Sequence, residues 1–262
     1  MHPQNLTIQS LQQMTGGQDW RLSLAHDREE NLLIWITRGQ GRLLLEGQRR
    51  GVGTHNAIVI PARNLFALEL GRQGAAQFVV IPSATALPFP QIPVQLRIRE
   101  VDAMSELTAL IEAATREQAG ERPLIGTAME AHAILISVWL QRQIALEDHI
   151  PPRAKAAARL TAAFTRRISQ QFHEPLTMAD HAQALQVTPT HLTRACKAAT
   201  GKTAADLLTE RILYEARHLL TATQVPAQDI ARYLGFGSAA YFTRFMQHHT
   251  NATPSALRKS AA

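Results

Sequence analysis

Two short runs in this 262-residue sequence carry side chains suited to reading a hydrogen-bonding surface. Thr190, Thr193, Arg194 and Lys197 are spaced to share one helix face, and 50 residues on Ala240, Thr243 and Arg244 repeat the spacing of the first three. A guanidinium fork can donate two parallel bonds to O6 and N7 of a guanine. Threonine and alanine allow close approach and can meet a thymine methyl. Each good bidentate contact gives roughly 1–3 kcal/mol of discrimination between bases. The ordinary alternative for Arg194 or Arg244 is a solvated or ion-paired helix residue.

Both runs sit in the same local setting. Leu192-Thr193-Arg194-Ala195-Cys196 returns as Phe242-Thr243-Arg244-Phe245-Met246, and an Asp-x-Ala-x-x-Leu stretch precedes each, at Asp180 and Asp229. The spacing predicts two helix-turn-helix units. In the first, residues 176–185 support and Gln186-Val187 turn. Thr188 then caps a helix over 189–199, with Pro189 at its first position and Gly201 at its end. In the second, residues 227–234 support, Gly235-Phe236-Gly237 turn, and Ser238 caps a helix over 239–249, with Asn251 closing it. The interval from Asp to Arg is 14 residues in the first copy and 15 in the second, the extra one falling in the glycine turn. Between the units, residues 203–221 read as one long helix with Leu207, Leu208, Ile212, Ala216, Leu219 and Leu220 on its buried stripe. Such a rod would set two recognition helices about 34 Å apart, the repeat of successive major grooves. Arg159, Arg166, Arg167, Lys197, Lys202 and Arg258 are the candidates for phosphate neutralisation.

Charge is placed to suit a polyanion. Residues 153–262 hold 14 Lys and Arg against 6 Asp and Glu, and the remainder holds 13 against 15. The single cysteine, Cys196, leaves no internal disulfide framework and suits a reducing cytoplasm. No run approaches the roughly 18 apolar residues of a membrane helix, and the first residues do not resemble a secretory signal, so no membrane partner is expected.

The N-terminal half reads differently, and the whole as α+β. Residues 20–98 show short strands: Leu32 to Thr37, Leu43-Leu44-Leu45, Ala57 to Ile60, Leu65 to Leu70 and Gln77 to Ile81, with turns at Gly39 to Gly41 and Glu46 to Gln48. Residues 82–93 hold four prolines and read as an irregular crossing. From Val101 the period becomes helical, with Leu107, Leu110, Ile111 and Ala114 on one helix. Ile134, Leu135, Val138, Trp139 and Leu146 lie on a second, and residues 115–126 connect the two. These helices either cap a β core or present an apolar stripe to a second subunit. Pro151-Pro152 marks the best boundary. The expected division is 1–98, a β domain; 99–150, a helical dimerisation region; and 151–262, the helix-turn-helix domain.

Residues 156–258 resemble the DNA-binding domain of AraC/XylS-type bacterial transcription regulators. The likeness rests on Thr188 to Arg194, Gly201, Arg211 with Ala216 and Leu219-Leu220, Asp229 to Phe236, Tyr241 to Phe245, and Pro254 to Arg258. It implies base reading by Thr190, Thr193 and Arg194 in one groove and by Ala239, Ala240, Thr243 and Arg244 in the next. It further implies a homodimer, contact with RNA polymerase, and an N-terminal β-barrel of cupin type that senses a small molecule, usually to activate transcription. Cys196, Gln247 and Thr250 depart from the family pattern, where Phe, Lys and an aromatic are usual.

For the barrel's effector, Trp35, Phe66, Phe78 and Trp20 could form walls, and Arg42, His55 or Arg63 could anchor a carboxylate or hydroxyl. Each also reads as an ordinary core aromatic or solvated polar residue. A cupin enzyme with a DNA-binding tail is the alternative. It is disfavoured because His26 and His55 stand alone, without the clustered ligands a catalytic metal requires. No catalytic triad or phosphate-cradling loop is visible, so no catalytic residue, metal or cofactor is expected. A dimeric regulator without an effector is the third reading.

Overall fold

The computed structural model describes residues 6–84, 87–120, 122–146 and 155–260. The chain forms two compact units. The first takes in the described parts of residues 1–19, 27–45 and 50–154, and the second those of 20–26, 46–49 and 155–262. The expected Pro151-Pro152 boundary lies outside the described residues.

The first unit contains β1 (Thr7–Ser10), α1 (Leu11–Thr15), β2 (Asn31–Arg38), β3 (Gln40–Leu45), β4 (Gln48–Gly53), β5 (Asn56–Ile60), β6 (Phe66–Leu70), β7 (Ala75–Ile81) and β8 (Val94–Arg97). Two long helices follow, numbered α3 (Val101–Ala119) and α4 (Ile125–Leu146). A short α2 (Trp20–Ser23) belongs to the second unit, so the chain at residue 20 is helical where a β region was expected to begin.

The strands do not form a cupin barrel. They make two separate sheets, one of five strands ordered β1-β7-β2-β5-β8 and one of three ordered β4-β3-β6, and neither closes on itself. The larger sheet buries its face under helices. Leu33, Trp35, Val59, Val79 and Ile81 share a core with Leu107, Ile111 and Ala114 of α3 and with Met129, Ala133, Ile136 and Trp139 of α4. The Trp139 indole donates to the Ala103 carbonyl at 3.0 Å, tying α4 to α3. The β1 edge is also occupied. The Gln118 side chain accepts from the Ile8 amide at 2.7 Å and donates to its carbonyl at 2.9 Å. An edge strand whose outward backbone groups are held in this way does not recruit a further strand. That contact requires α3 to continue past Thr115, which was expected to start the connection. The helix ends only before Gly120, whose amide donates to Glu117.

In the smaller sheet, β3 and β6 run antiparallel with Gly41 opposite Leu70. A Cβ at Gly41 would lie 2.0 Å from the Glu69 carbonyl oxygen, so only glycine permits this approach.

The second unit adds α5 (Ala156–Gln171), α6 (Met178–Ala184), α7 (Pro189–Thr200), α8 (Ala204–Ala222), α9 (Ala227–Tyr233), α10 (Ala239–Thr250) and α11 (Pro254–Lys259). Its core gathers Phe172, Leu213, Ala216, Leu220, Ile230, Ala231, Leu234, Phe242 and Met246. Within it the buried Arg211 guanidinium lies 3.7 Å from the centre of the Phe172 ring and pairs with Glu215 at 2.8 Å.

Candidate nucleic-acid interface

The helices α7 and α10 each begin at a turn built the same way. In the first unit Gln186 adopts a left-handed φ of 57°, and the Val187 amide donates to the Ala182 carbonyl at 3.0 Å. In the second Gly235 has φ 77°, and the Phe236 amide donates to Ala231 at 2.9 Å. The two turns therefore match through Phe236, and the additional residue is Gly237. Thr188 then accepts the His191 amide at 3.2 Å, and Ser238 accepts the Tyr241 amide at 3.2 Å. These caps satisfy one of the orphan donors at each helix start. At the far ends Gly201 and Asn251 take left-handed conformations, φ 81° and 55°.

Beyond the caps the two helices bury corresponding positions. Leu192, Ala195 and Cys196 go inward on α7, and Phe242 and Met246 on α10. Burial pushes the Cys196 thiol up to about 11, so it stays protonated at neutral pH and serves as packing. The opposite face is open. Thr190, Arg194 and Lys197 are exposed and Thr193 half-buried; Ala239, Ala240 and Arg244 are exposed and Thr243 half-buried, its hydroxyl donating to Ala239 at 2.9 Å. Neither arginine of this pair is held by an ion pair among the described residues. His191 and Tyr241 are exposed at matching positions in the first helical turns. The offset of 50 that relates Arg194 to Arg244 also relates this pair, which the reading of the sequence did not single out.

The expected phosphate contacts are placed unevenly. Arg166 and Lys197 are exposed. Arg167 is engaged inside the first unit's helix pair, its Nε donating to Nδ1 of His181 at 3.2 Å. Lys202 pairs with Glu210 at 2.6 Å. Arg258 donates to the Leu220 carbonyl at 3.4 Å and to that of Val225, closing the end of α8 and the loop after it.

His181 is buried and meets Phe164 edge-on at 5.7 Å. Accepting from Arg167 requires a lone pair on Nδ1, which fits a neutral ring. Burial first, and the Arg167 charge second, push the imidazole below its usual range, while Asp180 and Glu174 act weakly the other way. With the folded value depressed, this histidine's contribution to stability is complete above about pH 6.5, the unfolded value. It is lost as the pH falls through the folded value, because only the unfolded chain gains the proton readily. In urea titrations from pH 8 to 5, the unfolding midpoint of the wild type should drop further than that of His181→Gln. Parallel pH profiles would show that the ring does not carry the effect. His249 is pushed in the same direction by burial and by His248, so the comparison with the variant isolates His181.

The expected effector residues do not converge, and Trp20 lies on the helix α2 and not on a strand. Phe66 and Phe78 are fully buried in β6 and β7, Arg42 is exposed on β3, and Arg63 pairs with Glu29 at 2.9 Å. Only Trp35 and His55 meet, their rings stacked 5.8 Å apart beside a hollow of about 410 Å³ against Met104, Thr108 and Glu112 of α3. Among the described residues no group of three or more His, Cys, Asp or Glu could hold a metal ion. Nor is any described helix long and apolar enough to cross a membrane.

With the geometry in place, residues 181–260 match the family described as "Helix-turn-helix domain", which takes in α7 to α11. Over 260 residues the chain is 24% identical to the uncharacterized HTH-type transcriptional regulator YfiF of Bacillus subtilis (strain 168), covering 90% of this chain and 79% of that protein. Over 70 residues it is 37% identical to the probable transcription factor PqrA of Proteus vulgaris, covering 27% of this chain and 57% of PqrA. Among solved structures, ToxT from Vibrio cholerae aligns over 95% of this chain and 96% of its own at 12% identity and a TM-score of 0.43. The C-terminal part of the chain is a helix-turn-helix domain.

Proposed function

We propose that the protein is a sequence-specific transcription regulator of the AraC/XylS type that sets α7 and α10 into successive major grooves on one face of DNA. It is a DNA-binding transcription regulator and not an enzyme, as the relatives it matches are regulators. One observation carries the proposal of two helices in successive grooves. Two turns with the same hydrogen bonds, each followed by a capped helix, turn outward the same face in both units. Thr190, Thr193 and Arg194 on one helix and Ala239, Ala240, Thr243 and Arg244 on the other are the base readers. Arg166 and Lys197 are the phosphate contacts best placed to act.

The remaining features of the reading follow from the same resemblance. The protein works in the bacterial cytoplasm, as an activator that contacts RNA polymerase and responds to a small molecule. Trp35 and His55 are the residues nearest a site for that molecule, between the larger sheet and α3. It acts as a homodimer, a reading supported by Ile134, Leu135 and Val138, which stand exposed on α4.

Selection from a random DNA pool with the purified full-length chain tests the reading. The expected product is a site with two conserved blocks centred about 10–10.5 base pairs apart. Recovery of no enriched sequence at physiological salt, where non-specific binding alone persists, would overturn it.

A further inference from the structure

We propose that Arg21 and Arg217 form a clasp for an oxyanion, a carboxylate or phosphate group of a small molecule, on the long helix α8 of the helical unit. The proposal does not depend on how DNA is read.

The two guanidiniums approach the same indole. The Arg217 guanidinium carbon lies 4.4 Å from the centre of the Trp20 ring and that of Arg21 lies 5.0 Å from it. The Nε atoms of both are buried and have no hydrogen-bond partner. No carboxylate of the described residues answers them. The three acids of α8 are committed elsewhere: Asp206 accepts the Thr203 amide at the helix cap, Glu210 holds Lys202 and the Ala25 amide, and Glu215 holds Arg211. The indole face attracts each cation but offers no acceptor for the forks.

Two like charges at one ring, each with an unmet donor, repel one another. An oxyanion reached by both side chains removes both penalties together, since its lone pairs accept from each guanidinium and its charge offsets both cations. Burial, and then the charge of Arg21, push the ionisation of Arg217 downward, in keeping with that repulsion. The rest of the site is already ordered. Tyr214 of α8 meets Trp20 edge-on at 5.6 Å and stacks with His26 at 4.1 Å, while His26 Nδ1 lies 2.8 Å from the Leu24 carbonyl oxygen. An anion bound here would fasten α2 to the rod that joins the two recognition helices.

The test uses the full-length chain, titrated with sodium phosphate and separately with sodium benzoate at ionic strength held constant with sodium chloride. The expected result is a saturable rise in Tm of about 4 °C or more with at least one probe. A response to benzoate alone assigns a carboxylate ligand, and one to phosphate alone a phosphoryl compound. The rise should vanish in Arg217→Gln and in Arg21→Gln. In chloride alone, each variant should be no less stable than the wild type, because one of two repelling charges is gone. Arg217→Lys, which keeps charge and stem but loses the fork, should need a higher probe concentration. No saturable rise with either probe, or an equal rise in the double variant, overturns the proposal. So does a DNA-binding salt slope smaller by about one in Arg217→Gln, which would place that guanidinium on a DNA phosphate.

Discussion

Replacing Arg194 with alanine is expected to weaken binding to the selected DNA site by roughly 10- to 100-fold, the loss of one bidentate base contact. Arg194 is exposed on the outward face of α7, one helical turn beyond Thr190, with Lys197 a turn further on. Its α10 equivalent, Arg244, has alanines at Ala239 and Ala240 and Gln247 where the first helix has lysine. Arg244→Ala should therefore cost less, and the helix around it should contribute position more than discrimination. The informative measurement is a pair of titrations, one against the selected site and one against scrambled DNA. Affinity for the scrambled sequence should change little in either variant, since it rests on phosphate contacts and falls steeply with salt. If both variants lose the two affinities equally, the arginines neutralise phosphates and do not read bases.

The largest stability effect should come from Phe242→Ala. Phe242 is 1% exposed, at the centre of the second unit's core beside Ile230, Leu234 and Met246, and meets Phe236 at 5.2 Å. Truncating a buried phenylalanine costs about 3–5 kcal/mol, the transfer of the ring plus the cavity left behind. That is a large share of the 5–15 kcal/mol typical of a domain. Urea denaturation followed by circular dichroism should show the helical transition moved to markedly lower denaturant. The partly exposed Phe245→Ala should move it less. A loss below about 1 kcal/mol at Phe242 would mean that Phe236 and the aliphatic neighbours collapse into the space.

The helical half was legible in the sequence because its signals are local. A cap, a turn and an apolar stripe each lie within a dozen residues, and Thr188, Ser238, Gly201 and Asn251 take the positions their chemistry suggests. The β half was legible only strand by strand. Alternating apolar residues mark β2 or β7, yet nothing in a strand states which edges meet. Here β1 lies before the stretch that read as strands, and its outer edge is held by Gln118, 110 residues away. One face of the larger sheet is covered by α3 and α4, whose own periodicity fitted either a cap on the core or a surface for a partner. The expected effector set failed to converge for the same reason. Phe66, Phe78 and Trp35 were grouped as walls of one enclosure, and with no enclosure they lie on different strands of two open sheets. Arg21 and Arg217 escaped notice because only the folded chain places them about one ring.

The single residue by which the second turn exceeds the first has a consequence for how such readers diverge. Gly237 is added ahead of Ser238, and counting from the cap the exposed positions of α10 are those of α7. Each cap thus resets the phase of its helix, and slack upstream is not passed on to the side chains downstream. Turn length can drift, altering the angle of a helix, while the set of residues on its outward face stays constant. Aim and alphabet are separately adjustable.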